Sequence, residues 1–369
     1  MLYDEDSNLY EFKIINKIIK ELSVEEKYSY SVSNGGNEFK NSILKLVFLD
    51  YLENVKRNFF VEVSATPGGS GALYATFKNF LSKDEYILLP EYAWDNYDSI
   101  CLECELKNKK YPLFNDSNNF NIDKLNDLLD EQLKTQNGYI LINDPCHNPT
   151  GYTLKEEEWI KLISILNNKN KDKEITLILD IAYMEYYDID SLKYRRLFNL
   201  LTNLNSNIKV VICFSGSKCF SLYGLRIGAI IYLTKIKNDI NHFNDVINFT
   251  LRSTWSTSST LGINIINKLV NNNDYYLEYK KELNNSILTL KNRAKLFLEE
   301  ANKYKILYYP FQNGFFITIK CDGYKTFNKL KEKDVFVVPL DYGIRITLSS
   351  INLKEIKPLV EKIKESLEE

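Results

Sequence analysis

Short apolar runs punctuate the chain, and the stretches between many of them are long enough for helices. Residues 59–64, 86–89, 139–142, 175–179, 210–214 and 227–232 are dense in β-branched and large apolar side chains. They are too short for buried helices, so each is predicted as a strand. Continuous hydrophobicity without alternation marks strands buried on both faces, which predicts an α/β fold with a mostly parallel sheet between helices. Before the first strand, Phe39, Ile43, Val47 and Tyr51 recur every fourth position with Leu44, Phe48 and Leu52 alongside, the pattern of an amphipathic helix.

The pattern changes after residue 273. A long helical stretch over about 274–304 reads as a connector. Beyond it come a strand at 314–319, a helix near 325–333, strands at 335–338 and 344–348, and a helix from Leu353. This predicts a smaller α+β domain, which residues before about Gly35 join. The expected division is 36–275 for a large domain, and 1–35 with 276–369 for a small one. The Asn-rich stretches 115–121 and 271–273 read as loops, and no internal repeat is present.

Composition narrows the function. The 369 residues are 44% hydrophobic and 26% charged, with a net charge of −2. A balanced charge predicts no nucleic-acid footprint and no attraction to anionic lipid. No apolar run approaches the roughly 18 residues needed to cross a bilayer, and the acidic start Met1-Leu-Tyr-Asp-Glu-Asp has no secretory pattern. Several of the six cysteines sit in apolar segments, as reduced core thiols of a cytoplasmic protein would. Cys101 and Cys104 have redox or zinc spacing but no second pair. With only His147 and His242 as histidines, packing is the expected role and no metal is expected.

Candidate chemistry falls after the strands, where open α/β sheets bind ligands. Lys218 follows a buried strand, flanked by Ser215 and Ser217, with Arg226 eight residues on. Such a lysine suits covalent capture of a carbonyl cofactor whose phosphate needs neutralising. Gly68, Gly69, Ser70 and Gly71 open a helix and offer backbone N–H groups to a phosphate, or form an ordinary glycine-rich turn. Trp94 is a core aromatic or a flat face stacked on a planar ring. The run Asn143-Asp-Pro-Cys-His147-Asn148-Pro149-Thr150-Gly151 is a plain loop, or it presents the Asn148 amide to a ring oxygen. Asp180 ends a strand, either to cap a helix or to meet a cation such as a protonated pyridine nitrogen.

Together these segments resemble pyridoxal-phosphate-dependent aminotransferases of fold type I, class I/II, closest to the aspartate and aromatic enzymes. His147-Asn-Pro-Thr-Gly151 and Ser215-Gly-Ser-Lys218…Leu222-Tyr-Gly-Leu-Arg226-Ile-Gly228 carry the resemblance, in matching order over nearly the whole chain. It implies a mainly seven-stranded sheet in the large domain and shared active sites in a homodimer. Lys218 would hold the cofactor as an aldimine and shuttle a proton. Asp180 would pair with the pyridinium nitrogen, and Asn148 and Tyr183 would bond the ring oxygen. Trp94 would stack on the ring, and Gly68, Gly69, Ser70, Ser215, Ser217 and Arg226 would hold the phosphate. Arg345 would grip the substrate α-carboxylate in a two-bond clamp, beside Trp94 and Asn148. Tyr30 aligns with a tyrosine that reaches the phosphate across the dimer, or is a packed or surface tyrosine. Arg252, before Trp255-Ser256, matches an arginine that crosses the dimer to a distal carboxylate, or is a structural surface cation.

The chain departs from that pattern in three places. Thr257-Ser-Ser replaces the usual Asn-Pro-Pro, the family's long N-terminal arm and Gly-containing strand are not recognisable, and Tyr97 stands where a histidine usually backs the aspartate. The implied activity in amino-acid metabolism is transfer of an amino group from aspartate or an aromatic amino acid to a 2-oxo acid, 2-oxoglutarate foremost, by way of pyridoxamine phosphate. A C–S or β-lyase or decarboxylase would use the same lysine, aspartate and arginine. A cofactor-binding regulator without turnover would ordinarily carry a DNA-binding module, for which there is no room before Gly35.

Overall fold

In the computed structural model, which describes residues 1–368, two sheets carry the fold. Strands β1 (Phe60–Thr66), β2 (Tyr86–Pro90), β3 (Lys107–Tyr111), β4 (Gly138–Asn143), β5 (Ile175–Asp180), β6 (Ile208–Ser215) and β7 (Gly228–Thr234) form a seven-stranded sheet ordered β1-β7-β6-β5-β4-β2-β3. Strands β2 to β6 run parallel, while β7 is antiparallel to both β6 and β1. The central strands β4, β5 and β7 are buried at every position, which is why their sequences read as unbroken apolar runs.

Strand β3 was absent from the expected set. Its sequence, Lys-Asn-Lys-Lys-Tyr, lies at the sheet edge with Lys107 and Asn108 exposed. Lysines on an edge discourage further strand addition, and they also erase the hydrophobic signal.

The smaller sheet is antiparallel, with β8 (Phe316–Lys320), β9 (Val338–Leu340) and β10 (Gly343–Thr347) ordered β8-β10-β9. The strand expected at 335–338 is corrected to Val338–Leu340: Val335 to Val337 precede the ladder, and Phe336 is 72% exposed. A separate core around Phe297, Ile319, Leu330, Ile344, Ile356 and Val360 fills this part, beneath the 31-residue helix Asn273–Lys303 and the terminal helix Leu353–Glu368. The segment before Gly35 touches both bodies. Phe12, Ile14, Ile15 and Ile18 join the large core, whereas Tyr3 N–H donates to Ser349 O at 2.8 Å. Among the described residues no helix is long and apolar enough to cross a membrane.

All six cysteines are free. Burial pushes the thiols of Cys101 and Cys104 up to about 12 and about 11, so both are protonated packing groups rather than reactive thiolates.

Candidate active site

Six chain segments deliver side chains to the carboxyl edge of the large sheet. Five follow parallel strands: β1 leads into Gly69 and Ser70, β2 into Trp94, β4 into Asn148, β5 ends at Asp180, and β6 ends at Ser215 just before Lys218. The sixth enters β7 and carries Arg226. A cavity of about 280 Å³ is lined by residues from all six.

One end of the cavity is built for an oxyanion. Arg226 donates through one terminal nitrogen to Ser217 Oγ at 2.8 Å and to the Tyr223 carbonyl at 2.9 Å. Ser215 Oγ accepts from the Ser217 N–H at 3.4 Å, and the helix Gly68–Phe80 starts alongside. Gly68 has φ +74°, and a Cβ there would lie 2.3 Å from the Arg226 guanidinium, so only glycine lets that cation approach the helix N-terminus. Gly68 itself does not line the cavity. Its role is to leave room for Arg226.

At the other end lies Asp180, 5% exposed. Its Oδ2 accepts from the Tyr97 hydroxyl at 2.6 Å and its Oδ1 from the Ala182 N–H at 3.0 Å. Burial holds this carboxyl above the usual carboxylate range, opposed by the Tyr97 and Ala182 hydrogen bonds and by the charge of Lys218. Both direct donors are neutral, so a cationic ring N–H in the cavity would supply the charge that this buried carboxylate lacks.

Lys218 stands between the two ends. Its Nζ lies 5.6 Å from the centroid of the Tyr183 ring and 5.8 Å from that of Tyr223. Burial lowers the ammonium below its ordinary range, Asp180 works against this, and Arg226 adds to it. A lysine shifted this way has more of the neutral amine that attacks a carbonyl. Pyridoxal phosphate therefore fits the residues present, with anion cradle, amine, carboxylate and the flanking Trp94 each beside its counterpart.

Arg345 does not line this cavity. It sits half-buried on β10 beside it and donates to Asn148 Oδ1 at 3.0 Å, with its guanidinium 4.5 Å above the Phe316 ring. Its buried Nε has no partner among the described residues, which leaves donor capacity for a carboxylate. The Asn148 backbone N–H donates to Asn143 Oδ1 at 2.8 Å, so the loop that joins the cavity to Arg345 is fixed. His147 in that loop is 3% exposed, and burial lowers it to about 3, so it stays neutral.

Two residues predicted for the site are elsewhere in this chain. Tyr30 is 92% exposed, and Arg252 is an exposed residue near the end of the helix Lys237–Ser253 that donates to Ser256 Oγ at 3.1 Å. Neither reaches the cavity of its own chain. Conversely, Tyr223 and Asn143 line the cavity without having been singled out. Each lies within a motif already recognised, and that proximity was the available signal.

The family model for aminotransferase class I and II matches residues 3–363. A solved aminotransferase from Anaerococcus prevotii superposes with a TM-score of 0.95 at 29% identity, over 100% of this chain and 90% of that one. The aromatic-amino-acid aminotransferase from Burkholderia pseudomallei, solved covalently bound to pyridoxal phosphate, superposes with a TM-score of 0.79 at 22% identity, over 100% and 91%. The cytoplasmic aspartate aminotransferase of Dictyostelium discoideum is 24% identical, over 96% of this chain and 79% of its own. With cradle, lysine and aspartate in register along one sheet edge, the chain belongs to the class I and II aminotransferases.

Proposed function

We propose that this pyridoxal-phosphate-dependent aminotransferase takes its amino group from aspartate or an aromatic amino acid and passes it to 2-oxoglutarate. The observation that carries the reading is Arg345, beside the cavity and fastened to Asn148 at 3.0 Å, with its buried Nε–H unpartnered among the described residues. A substrate α-carboxylate held there presents its Cα–H toward Lys218. The names of aspartate and aromatic relatives support the choice of donors.

Pyridoxal phosphate supplies an aldehyde carbon that accepts the amino group and a ring that takes up the electron pair released at Cα. When it is bound, Ser215, Ser217, Arg226 and the N–H groups of Gly69 and Ser70 would hold its phosphate, Trp94 would flank the ring, and Asn148 and Tyr183 would donate to the ring oxygen. Asp180 would favour a protonated ring nitrogen, and Lys218 Nζ would be the base that takes the proton from the substrate Cα.

We further propose a homodimer in which Tyr30 and Arg252 serve the partner's cavity, the first at the phosphate and the second at a distal carboxylate. Their exposure in the single chain, with Tyr30 at 92%, supports this. Residues 36–275 and the pair 1–35 with 276–369 are the proposed bodies of domain closure; the separate core between Ala294 and Ile363 supports the C-terminal part of the second, while Phe12, Ile14, Ile15 and Ile18 pack with the large core. A cytoplasmic location suits the six unpaired cysteines.

Glutamate formation from 2-oxoglutarate, measured for each donor in turn, tests the reading. Aspartate and the aromatic amino acids are expected to lead, and Lys218→Ala to abolish turnover while far-UV circular dichroism stays unchanged. Substantial turnover in that variant, or release of pyruvate and ammonia without consumption of the oxo acid, would overturn it.

A further inference from the structure

Residues 1–10 form a strap that bonds to both domains: Met1, Tyr3 and Glu5 meet Ser349, Arg293 and Leu353, whereas Leu2 and Tyr10 meet Tyr223 and Ser221. Arg293, 0% exposed within the long helix, anchors it to the small domain. It donates to Glu5 Oε1 at 2.9 Å, to Tyr3 O at 2.9 Å, and to Leu348 O and Ser349 O at 3.3 and 3.2 Å. Glu5 Oε2 in turn accepts from Leu353 N–H at 2.7 Å, and Ser349 Oγ donates to Met1 O at 2.9 Å. By dividing its donors between Glu5 and Tyr3 of the strap and the carbonyls of Leu348 and Ser349, this buried guanidinium ties the strap to the small domain.

The same strap reaches the cavity. Leu2 is fully buried, and its N–H donates to Tyr223 Oη at 2.8 Å. Ser221 Oγ donates to Tyr10 O at 2.7 Å. The Tyr223 ring lies 5.8 Å from Lys218 Nζ, and the Tyr223 carbonyl orients Arg226 at 2.9 Å. A continuous path therefore runs from Arg345 on β10 into the 3-10 turn Leu348–Ser350, across from Ser349 to Met1 and Tyr3, and through Leu2 to Tyr223.

We propose that Tyr223 is a positioning residue for Lys218, and that the strap is the lever that sets it. A substrate carboxylate that draws on Arg345 shifts β10 and with it the following turn that bears Ser349, and the Leu2–Tyr223 hydrogen bond carries that shift to the lysine. This rests on Lys218 being the cofactor lysine.

The test is a double-mutant cycle on the cofactor-loaded enzyme with Tyr223→Phe, which keeps the ring, and Glu5→Gln, which lies outside the cavity. Each single variant is expected to lower kcat on the order of fivefold, the worth of one hydrogen bond, with KM changed less. Each should move the pH midpoint of the lysine-bound absorbance band in the same direction, and each should speed hydrogen exchange at the amides of Tyr3 and Tyr10. The double variant should be no worse than either single one, because both cut the same path. Losses in kcat that multiply, or a Tyr223→Phe enzyme with wild-type kcat and exchange, overturn the coupling. A lysine-bound band that survives Lys218→Ala overturns instead the reading on which the coupling rests.

Discussion

The Tyr97 hydroxyl donates to Asp180 Oδ2 at 2.6 Å, both groups buried, where the class usually places a histidine. A phenol in this setting is a neutral donor with no second tautomer and, raised by burial and by Asp180, it does not ionise. It steadies the carboxylate without adding charge, so the ring nitrogen of a bound cofactor would be the cation that Asp180 faces.

Removing that donor should weaken the aspartate for every substrate alike. Hydrogen bonds to charged groups are worth about 1.5–3 kcal/mol. Tyr97→Phe is therefore expected to lower kcat/KM by roughly 10- to 100-fold, equally for aspartate and aromatic donors, and Tyr97→His to restore most of it. Equal kinetics for Tyr97→Phe and wild type would show that the contact does not act on the chemistry.

Asp144 gives a pH signature in stability. Its carboxylate accepts from Leu154 N–H at 2.8 Å and Trp159 Nε1–H at 3.2 Å, yet burial pushes it up to about 7. The folded chain holds this proton to about pH 7, while the unfolded chain releases it near the ordinary aspartate value of 3.8. Between these values the folded state binds more protons, so stability falls as pH rises from about 4 to about 7. At about 1.4 kcal/mol per pKa unit the loss amounts to about 3–5 kcal/mol. Thermal unfolding of Asp144→Asn across pH 5 to 8 should show a flatter profile, and an unchanged slope would remove Asp144 as its source.

Arg195 tests packing away from the cavity. It is 1% exposed, forms an ion pair with buried Glu185, and donates to the carbonyls of Val47 at 2.8 Å and Leu46 at 3.0 Å. Arg195→Met strands Glu185, with Lys280 at 3.7 Å as its one remaining ion-pair partner among the described residues. The expected loss is about 3–5 kcal/mol in denaturant unfolding, and a loss under 1 kcal/mol would contradict this account.

Arg252 tests the partner-subunit assignment. Arg252→Leu should cost dicarboxylic substrates about 3 kcal/mol, roughly a hundredfold in kcat/KM, because their distal carboxylate loses its pair. Aromatic donors should be spared. Parallel losses for both classes would return Arg252 to the role of a surface cation.

What the sequence disclosed follows from where each signal lies. Buried strands such as β5 and β7 are legible because every position is apolar, and Lys218, Asp180 and Asn148 because each sits at a strand end within a local motif. Strand β3 was hidden by its lysines, and β9 was displaced two to three residues along the chain. The strap was not legible: the Leu2–Tyr223 bond spans 221 residues, and Arg293 looks from sequence like any other charge on a long helix. For Tyr30 and Arg252 the motif context left a surface role and service to a partner open, and their exposure fits both.

The measurement that bears most directly on the central claim is an absorbance titration of the cofactor-loaded enzyme with one amino acid at a time and no oxo acid. Aspartate or an aromatic amino acid should bleach the yellow lysine-bound band in a single turnover, and 2-oxoglutarate should restore it with release of glutamate. A band that returns unaided as pyruvate and ammonia appear, or one that no amino acid alters, would contradict transamination.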